Sequence, residues 1–264
     1  MLPVYIFIFI FGLVLGSFIN VLVYRVPEGK SIIAPPSACP ACGKRLSPLD
    51  LIPVFSWLLL RGKCRYCHAS ISPRYLLVEI LTGAAVTGLF LRFGVSVAFI
   101  AFTYLLVLLI AVFFIDIDHR IIPNELVLAG LAGGVLLLVY NILSPGRLIY
   151  GDDQWWTPLA GILSGSGVLL LVAVIGMLVY KTDDAMGMGD VKLLAPIGMF
   201  LGWKLCLAAL FFSIILAGVS SIVLIIARIK KKKDTIPFGP FIVIGTYLCI
   251  ILGWDIINWY IGML

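Results

Sequence analysis

The sequence predicts an all-α polytopic membrane protein with about eight transmembrane helices. Three observations predict it. The 264 residues are 62% hydrophobic and only 12% charged, where soluble domains are about half apolar and about a quarter charged. The apolar runs are continuous over helix-spanning lengths and do not alternate, which argues against a β-barrel. The lysines and arginines fall almost entirely on one side of those runs.

Hydropathy places the spans at about 2–24, 75–92, 96–115, 121–143, 158–180, 190–203, 205–227 and 237–262. The first run has no basic residue ahead of it and is too long for a signal-peptide core, so it reads as a retained span. Each run approaches the ~20 residues that a crossing helix needs, except the sixth. That one is short, is interrupted by Pro196 and begins at Asp190. A short helix starting at membrane depth is tolerated where it is buried in protein or lines a wet cavity. With the 25–74 loop inside, only Arg92, Arg147 and Lys204 of the 19 basic residues lie outside, and both termini are outside. The net charge of +6 is then a topology signal that gives no pointer to nucleic acid. The run Lys230 to Lys233 reads as an inner-face anchor beside anionic membrane lipid. Three parts follow: a first span at 1–24, a cytoplasmic loop at 25–74 and a seven-span core at 75–264.

The loop carries "CPAC" and "CRYC", with 21 residues between the pairs. Cys39, Cys42, Cys64 and Cys67 supply four thiolates for a tetrahedral site at a spacing close to that of zinc ribbons. Gly43 can take the positive φ that a tight turn needs, and Lys63, Arg45 and Arg65 favour the thiolate form. A loop this size has too small a core to fold comfortably alone, so zinc acts as its staple. Two disulfides, a redox pair or free thiols are the alternatives, and an inner location disfavours persistent disulfides. His68 beside the second knuckle is an improbable substitute ligand. Cys206 and Cys249, in apolar spans, read as small core hydrophobes.

A carboxylate at membrane depth is a functional candidate by default. Asp190 follows Gly187 and Gly189 in "GMGD", and Asp116 and Asp118 follow the third span in "DIDH". All lie at the inner boundary, so Asp116 and Asp190 can converge across a bundle. Two close carboxylates share a proton and split into one acid and one base. The base takes a proton from water while the acid donates to a carbonyl oxygen, which is peptide hydrolysis without a covalent intermediate. Gly187 and Gly189 remove side chains beside the carboxylate, open the way to an extended backbone and allow unusual φ/ψ at the turn. Asp183 and Asp184 read as solvated loop residues, and His119 as an ordinary polar residue of the inner turn. Asn20 and Glu79, near the inner ends of spans one and two, are either packing groups between helices or part of a site open to the loop side.

These segments together resemble the bacterial type IV prepilin peptidases, members of the Gly-x-Gly-Asp intramembrane aspartic proteases. The resemblance runs through "GSFINVLVYRVP", the two cysteine pairs, "ISPRYLLVE", "DIDHRIIPNEL", "GMGDVKLLAPIG" and "PFGPF". It implies an enzyme that removes the short basic leader from type IV prepilins or pseudopilins at the cytoplasmic face of the bacterial inner membrane. The catalytic pair it implies is Asp116 and Asp190, with Asp118, Gly187 and Gly189 supporting. Members with the four-cysteine loop commonly also methylate the new N-terminus with S-adenosylmethionine, and archaeal relatives lack that loop. The residues alone do not reach the methyl transfer, because no Gly-rich strand-to-helix turn for a dinucleotide-type fold exists; Asn20 and Glu79 beside the zinc loop are the weak candidates for the donor site. The rival readings are a presenilin-like protease, an ion-coupled membrane carrier using the inner aspartates, and a membrane scaffold with a zinc-bound docking loop.

Overall fold

The computed structural model describes residues 2–144, 150, 154–180, 187–229 and 236–263. Asp183, Asp184 and the run Lys230 to Lys233 lie outside the described residues. The helices in chain order are α1 (Leu2–Arg25), α2 (Phe55–Leu59), α3 (Arg74–Phe93), α4 (Val97–His119), α5 (Asn124–Leu143), α6 (Thr157–Ile162), α7 (Val168–Tyr180), α8 (Met188–Ile226) and α9 (Gly239–Ile261). A turn of π-helix at Leu163–Gly167 joins α6 to α7, so the two form one crossing. Among the described residues no sheet forms and seven helices are long and apolar enough to cross a membrane. The chain is a multi-pass membrane protein.

The difference from the expected eight lies in α8. The segments expected at 190–203 and 205–227 are one 39-residue helix with a break at Gly202, which has φ 71. Glycine reaches that conformation without a side-chain clash. A Cβ on Gly165 would lie 3.1 Å from the Leu194 carbonyl oxygen and 2.7 Å from the Cys206 Sγ. In a straight helix those two residues would be about 18 Å apart. The chain therefore doubles back at Gly202, and α8 is a hairpin of two arms. Cys206 and Cys249 are fully buried, as the apolar setting suggested.

Two compact units are present, Met1–Phe99 and Ile100–Leu264. In the first, α1 and α3 pair antiparallel at very short range. Tyr5 faces Phe90 edge-on, a Cβ on Gly12 would sit 2.7 Å from the Gly83 Cα, and one on Gly16 would sit 2.6 Å from the Glu79 Cα. Asn20 Nδ2 closes the series by donating to the Tyr75 carbonyl (3.1 Å). Small residues four apart are what let two membrane helices approach backbone to backbone.

In the second unit the first arm of α8 is sandwiched. Gly130 of α5 receives Pro196, and Gly134 receives Met199. Tyr104 of α4 stacks on Phe200 and donates to the Ala129 carbonyl (2.7 Å). From α6, Gly161 meets Gly198 so closely that a Cβ on either would overlap the other's carbonyl. Gly198→Ala should therefore lower stability by about 3 kcal/mol or more, because a methyl forced against backbone has no rotamer to escape into. Thermal unfolding in detergent checks this, and an unchanged midpoint would refute the close crossing.

Candidate active site and metal centre

Asp116 lies one turn from the C-terminus of α4 and is buried, with 6% of its surface exposed. The helix runs about one turn beyond its apolar run, and Arg120, at φ 55, closes it by donating its N–H to the Asp116 carbonyl (2.9 Å). Gly239, the first residue of α9, packs on the carboxylate, and a Cβ there would be 2.5 Å from Oδ2. The Gly239 N–H and the Arg120 cation both act on the Asp116 charge. Among the described residues Asp116 Oδ2 is nevertheless buried without a hydrogen-bond partner. Such an oxygen is rare in native structures and marks strain or chemistry.

Asp190 is the third residue of α8 and is half-buried. A carboxylate in the first turn suits the positive end of a helix. Its N–H donates to the Gly187 carbonyl (3.1 Å). Gly187 has φ −65 and ψ 115, ordinary values, so the expected need for unusual dihedrals is not what this position meets. Its missing side chain matters instead: a Cβ would touch Asp190 Oδ2 at 3.1 Å. Gly189 lets α8 close on the segment after α4, since a Cβ would lie 3.2 Å from that of Ile122. Lys192 Nζ donates to Asn124 Oδ1 (3.3 Å) across the same junction. These contacts bring the end of α4 to the start of α8, and the Asp116 charge acts directly on Asp190. Asp118 and His119 are exposed. Gly239 and Arg120 were not singled out from the sequence; "PFGPF" was visible as a motif, but nothing local ties it to a carboxylate over a hundred residues earlier.

In the first unit the four loop cysteines gather, with their Sγ atoms all within 4.8 Å of one another. Cys39 and Cys67 Sγ are 3.8 Å apart. A tetrahedral ion with bonds of about 2.3 Å requires thiolates about 3.8 Å apart, so the cluster fits a metal ion. A disulfide at about 2.05 Å is not formed, and all four are free thiols. The knuckles are near copies of one another, 25 residues apart. Each is clasped by a bridge, Ala38 with Arg45 and Lys63 with Ser70. Cys39 N–H donates to the Lys44 carbonyl as Cys64 N–H does to that of Ala69, and the Gly43 and His68 N–H groups donate back to Cys39 and Cys64. Gly43 has φ 68 and His68 φ 58. His68 thus occupies the position glycine holds in the first knuckle, which is a backbone role. His68→Gly should keep full metal binding and be neutral to about 1 kcal/mol stabilising, since left-handed φ costs a side chain roughly 1–2 kcal/mol. Metal titration of the variant decides it, and a lost equivalent would make His68 a ligand.

The electrostatics of the cluster favour a cation. Backbone N–H groups of Cys42 and Ala41 hold the Cys39 thiol down at about 7. Against the Ala69 N–H, burial and the three neighbouring thiols push Cys67 up to about 11. Four thiols this close cannot all ionise without a compensating positive charge. Arg65, expected to act on the thiols, instead pairs with Asp50 at 2.5 Å. Burial alone would raise the Asp50 carboxyl, but Arg65, Ser47 and Tyr66 outweigh it and hold it at about 2.

Asn20 and Glu79 both carry structural bonds. Asn20 joins α1 to α3 as described, and Glu79 Oε2 accepts the Val54 N–H at 2.7 Å. Val54 has φ 65 and ψ −55, and Phe55 N–H donates to the Pro53 carbonyl (2.6 Å). That is a γ-turn centred on a β-branched residue, a strained geometry which the buried Glu79 carboxylate holds.

The chain matches the family described as "Bacterial Peptidase A24 N-terminal domain" over residues 10–93 and the "Type IV leader peptidase family" over residues 103–222. It is similar to a protein of Bacillus subtilis (strain 168) named "Prepilin leader peptidase/N-methyltransferase", at 36% identity over 97% of both chains. A protein of the same name from Aeromonas salmonicida (strain A449) is 32% identical over 97% of this chain and 93% of its own. One from Myxococcus xanthus (strain DK1622) is 36% identical over 87% of this chain and 66% of its own. No solved structure matches the chain at a comparable level.

Proposed function

The chain belongs to the type IV leader peptidase family, and from that premise we propose that it removes the basic leader from type IV prepilins or pseudopilins and methylates the N-terminus so exposed. Asp116 and Asp190 form the catalytic dyad, at the cytoplasmic face of a bacterial inner membrane. One observation carries the dyad: a buried Asp116 oxygen with no partner among the described residues, within the electrostatic reach of Asp190.

The two carboxylates titrate as a pair, with one proton held between them. The ionised member takes a proton from a water molecule, which attacks the scissile carbonyl, and the protonated member gives its proton to the carbonyl oxygen. Return of a proton to the leaving amine completes the cleavage. Gly187 leaves no side chain beside Asp190, Gly189 lets that turn close on Ile122, and Gly239 brings the α9 terminus against Asp116. Extended substrate backbone can lie along that face. Asp118 is exposed on the same helix end and adds negative charge toward a basic leader. Nothing observed supports the ion-coupled carrier alternative.

Zinc is the ion that four thiolates at this spacing suit best; bound by Cys39, Cys42, Cys64 and Cys67, it would staple the loop. The names of the relatives imply a methyl donor, and S-adenosylmethionine is the donor proposed here, as the resemblance to the bacterial prepilin peptidases implies. The weak candidates for its site, Asn20 and Glu79, already hold hydrogen bonds within the chain. Their contribution to methyl transfer is then positional. Glu79→Ala should loosen the loop by about 1.5–3 kcal/mol, the worth of a hydrogen bond to a charged group, and lower methylation more than cleavage. The full activity is tested by incubating the detergent-purified chain with a prepilin and following product mass. Leader loss, then a gain of one methyl with S-adenosylmethionine, is the expected sequence. Cleavage without methylation in several well-folded preparations would remove the second activity.

A further inference from the structure

The loop between α1 and α3 contains a stretch that does not read as a water-soluble segment. Residues 51–60, "LIPVFSWLLL", carry no charge, with Asp50 before them and Arg61 after. An apolar run of this length is too short to cross and suits a re-entrant or interfacial segment. In the structure its large side chains face outward: Leu51 (43% exposed), Ile52 (43%), Phe55 (59%), Leu58 (53%) and Leu59 (82%). On a small soluble loop such a patch would call for a partner.

The position of the stretch identifies the partner. Val54 is bonded to Glu79, the sixth residue of α3. That places the γ-turn about 7.5 Å along the helix from its loop-side end, a depth matching the interfacial layer between headgroups and hydrocarbon. Tyr75 and Leu77 of α3 are exposed over the same first turns, so the patch continues the surface a spanning helix turns to lipid. Irregular backbone is tolerated at such depth where its polar groups are satisfied. Glu79 satisfies Val54 N–H, and the Trp57 indole N–H donates to the Ile71 carbonyl (3.2 Å). Arg61 and Lys63 follow immediately and are exposed, as expected where a chain leaves an anionic headgroup layer.

We infer that residues 51–60 form an interfacial segment inserted into the phospholipid bilayer, docking the four-cysteine loop onto the membrane surface. Phe55, Leu58 and Leu59 enter the acyl boundary, and Arg61 and Lys63 meet anionic headgroups. The inference concerns the bilayer alone and does not depend on the peptidase reading.

The test uses the full chain in proteoliposomes of phosphatidylethanolamine and phosphatidylglycerol, with a fluorescent amino acid introduced at position 59 and lipid-borne spin labels as quenchers. Position 171, on the exposed face of α7, is the bilayer reference, and position 41, at the tip of the first knuckle, is the water reference. Quenching at 59 close to that at 171 and several-fold above that at 41 is the expected result. Quenching at 59 equal to that at 41 overturns the inference. Protection at 59 that appears only when a prepilin is added also overturns it, by assigning the patch to a protein partner. A probe at 58 repeats the measurement should the label at 59 impair folding.

Discussion

Asp116→Asn and Asp190→Asn should each abolish leader removal, with the rate falling on the order of 10³-fold or more, the range expected when a general acid or base is lost. Each amide keeps the size of the carboxylate, so the burial of Asp116 against Gly239 and the first turn of α8 should persist. The two losses should not add: one proton is shared, and either substitution empties the pair of its function. The measurement is single-turnover cleavage of a prepilin by wild type, both single variants and the double variant, scored by product mass. If either single variant retains cleavage within tenfold of wild type, the dyad assignment is wrong. Asp118→Asn serves as the contrast. It is exposed on the same helix end and is expected to weaken substrate capture while sparing the chemical step.

Removal of the proposed zinc ligands should be nearly as severe for the first unit. Structural metal in small cysteine sites contributes on the order of 10 kcal/mol, and the loop has little else. Its helices are five residues or fewer before α3, and its apolar stretch faces outward. Cys64→Ser, at a buried cysteine of the cluster, should leave less than one bound zinc per chain and render the 30–70 segment protease-sensitive, while the α1–α3 pair remains folded through its glycine contacts. Metal analysis with limited proteolysis gives a readout free of any catalytic assay. A chelator-treated protein that keeps both its loop protection and its thiol reactivity unchanged would rule out the staple.

The spans were legible because hydropathy reports membrane burial directly, and every expected crossing coincides with a helix or an arm of one. The cysteine cluster was legible because two short spacings carry their own geometry. What the sequence does not reveal is the joining of distant backbone. That Gly161 meets Gly198, or that Gly239 rests on Asp116, depends on where helices cross, and a glycine in an apolar run carries no mark of its neighbour. The proposed dyad could be anticipated only as two carboxylates at one depth. Its closure rests on Gly189 against Ile122 and Lys192 against Asn124, contacts with no periodic signature. His68 is a different case: the sequence made it an improbable ligand, and the repeat of the knuckle 25 residues on gives its backbone the turn position that Gly43 holds in the first.

The break at Gly202 has a consequence for the lipid itself. The arm from 188 to 201 rises only about 21 Å, roughly 9 Å less than a hydrocarbon layer of ~30 Å. Either the bilayer thins locally around that arm or the Asp190 end stays below the headgroups, and both carry a modest energy that varies with acyl-chain length. Membrane thickness thereby becomes a dial on how wet the carboxylate pair is, and reconstitution across a series of chain lengths should move the pH profile of cleavage while the protein's own covalent structure is untouched.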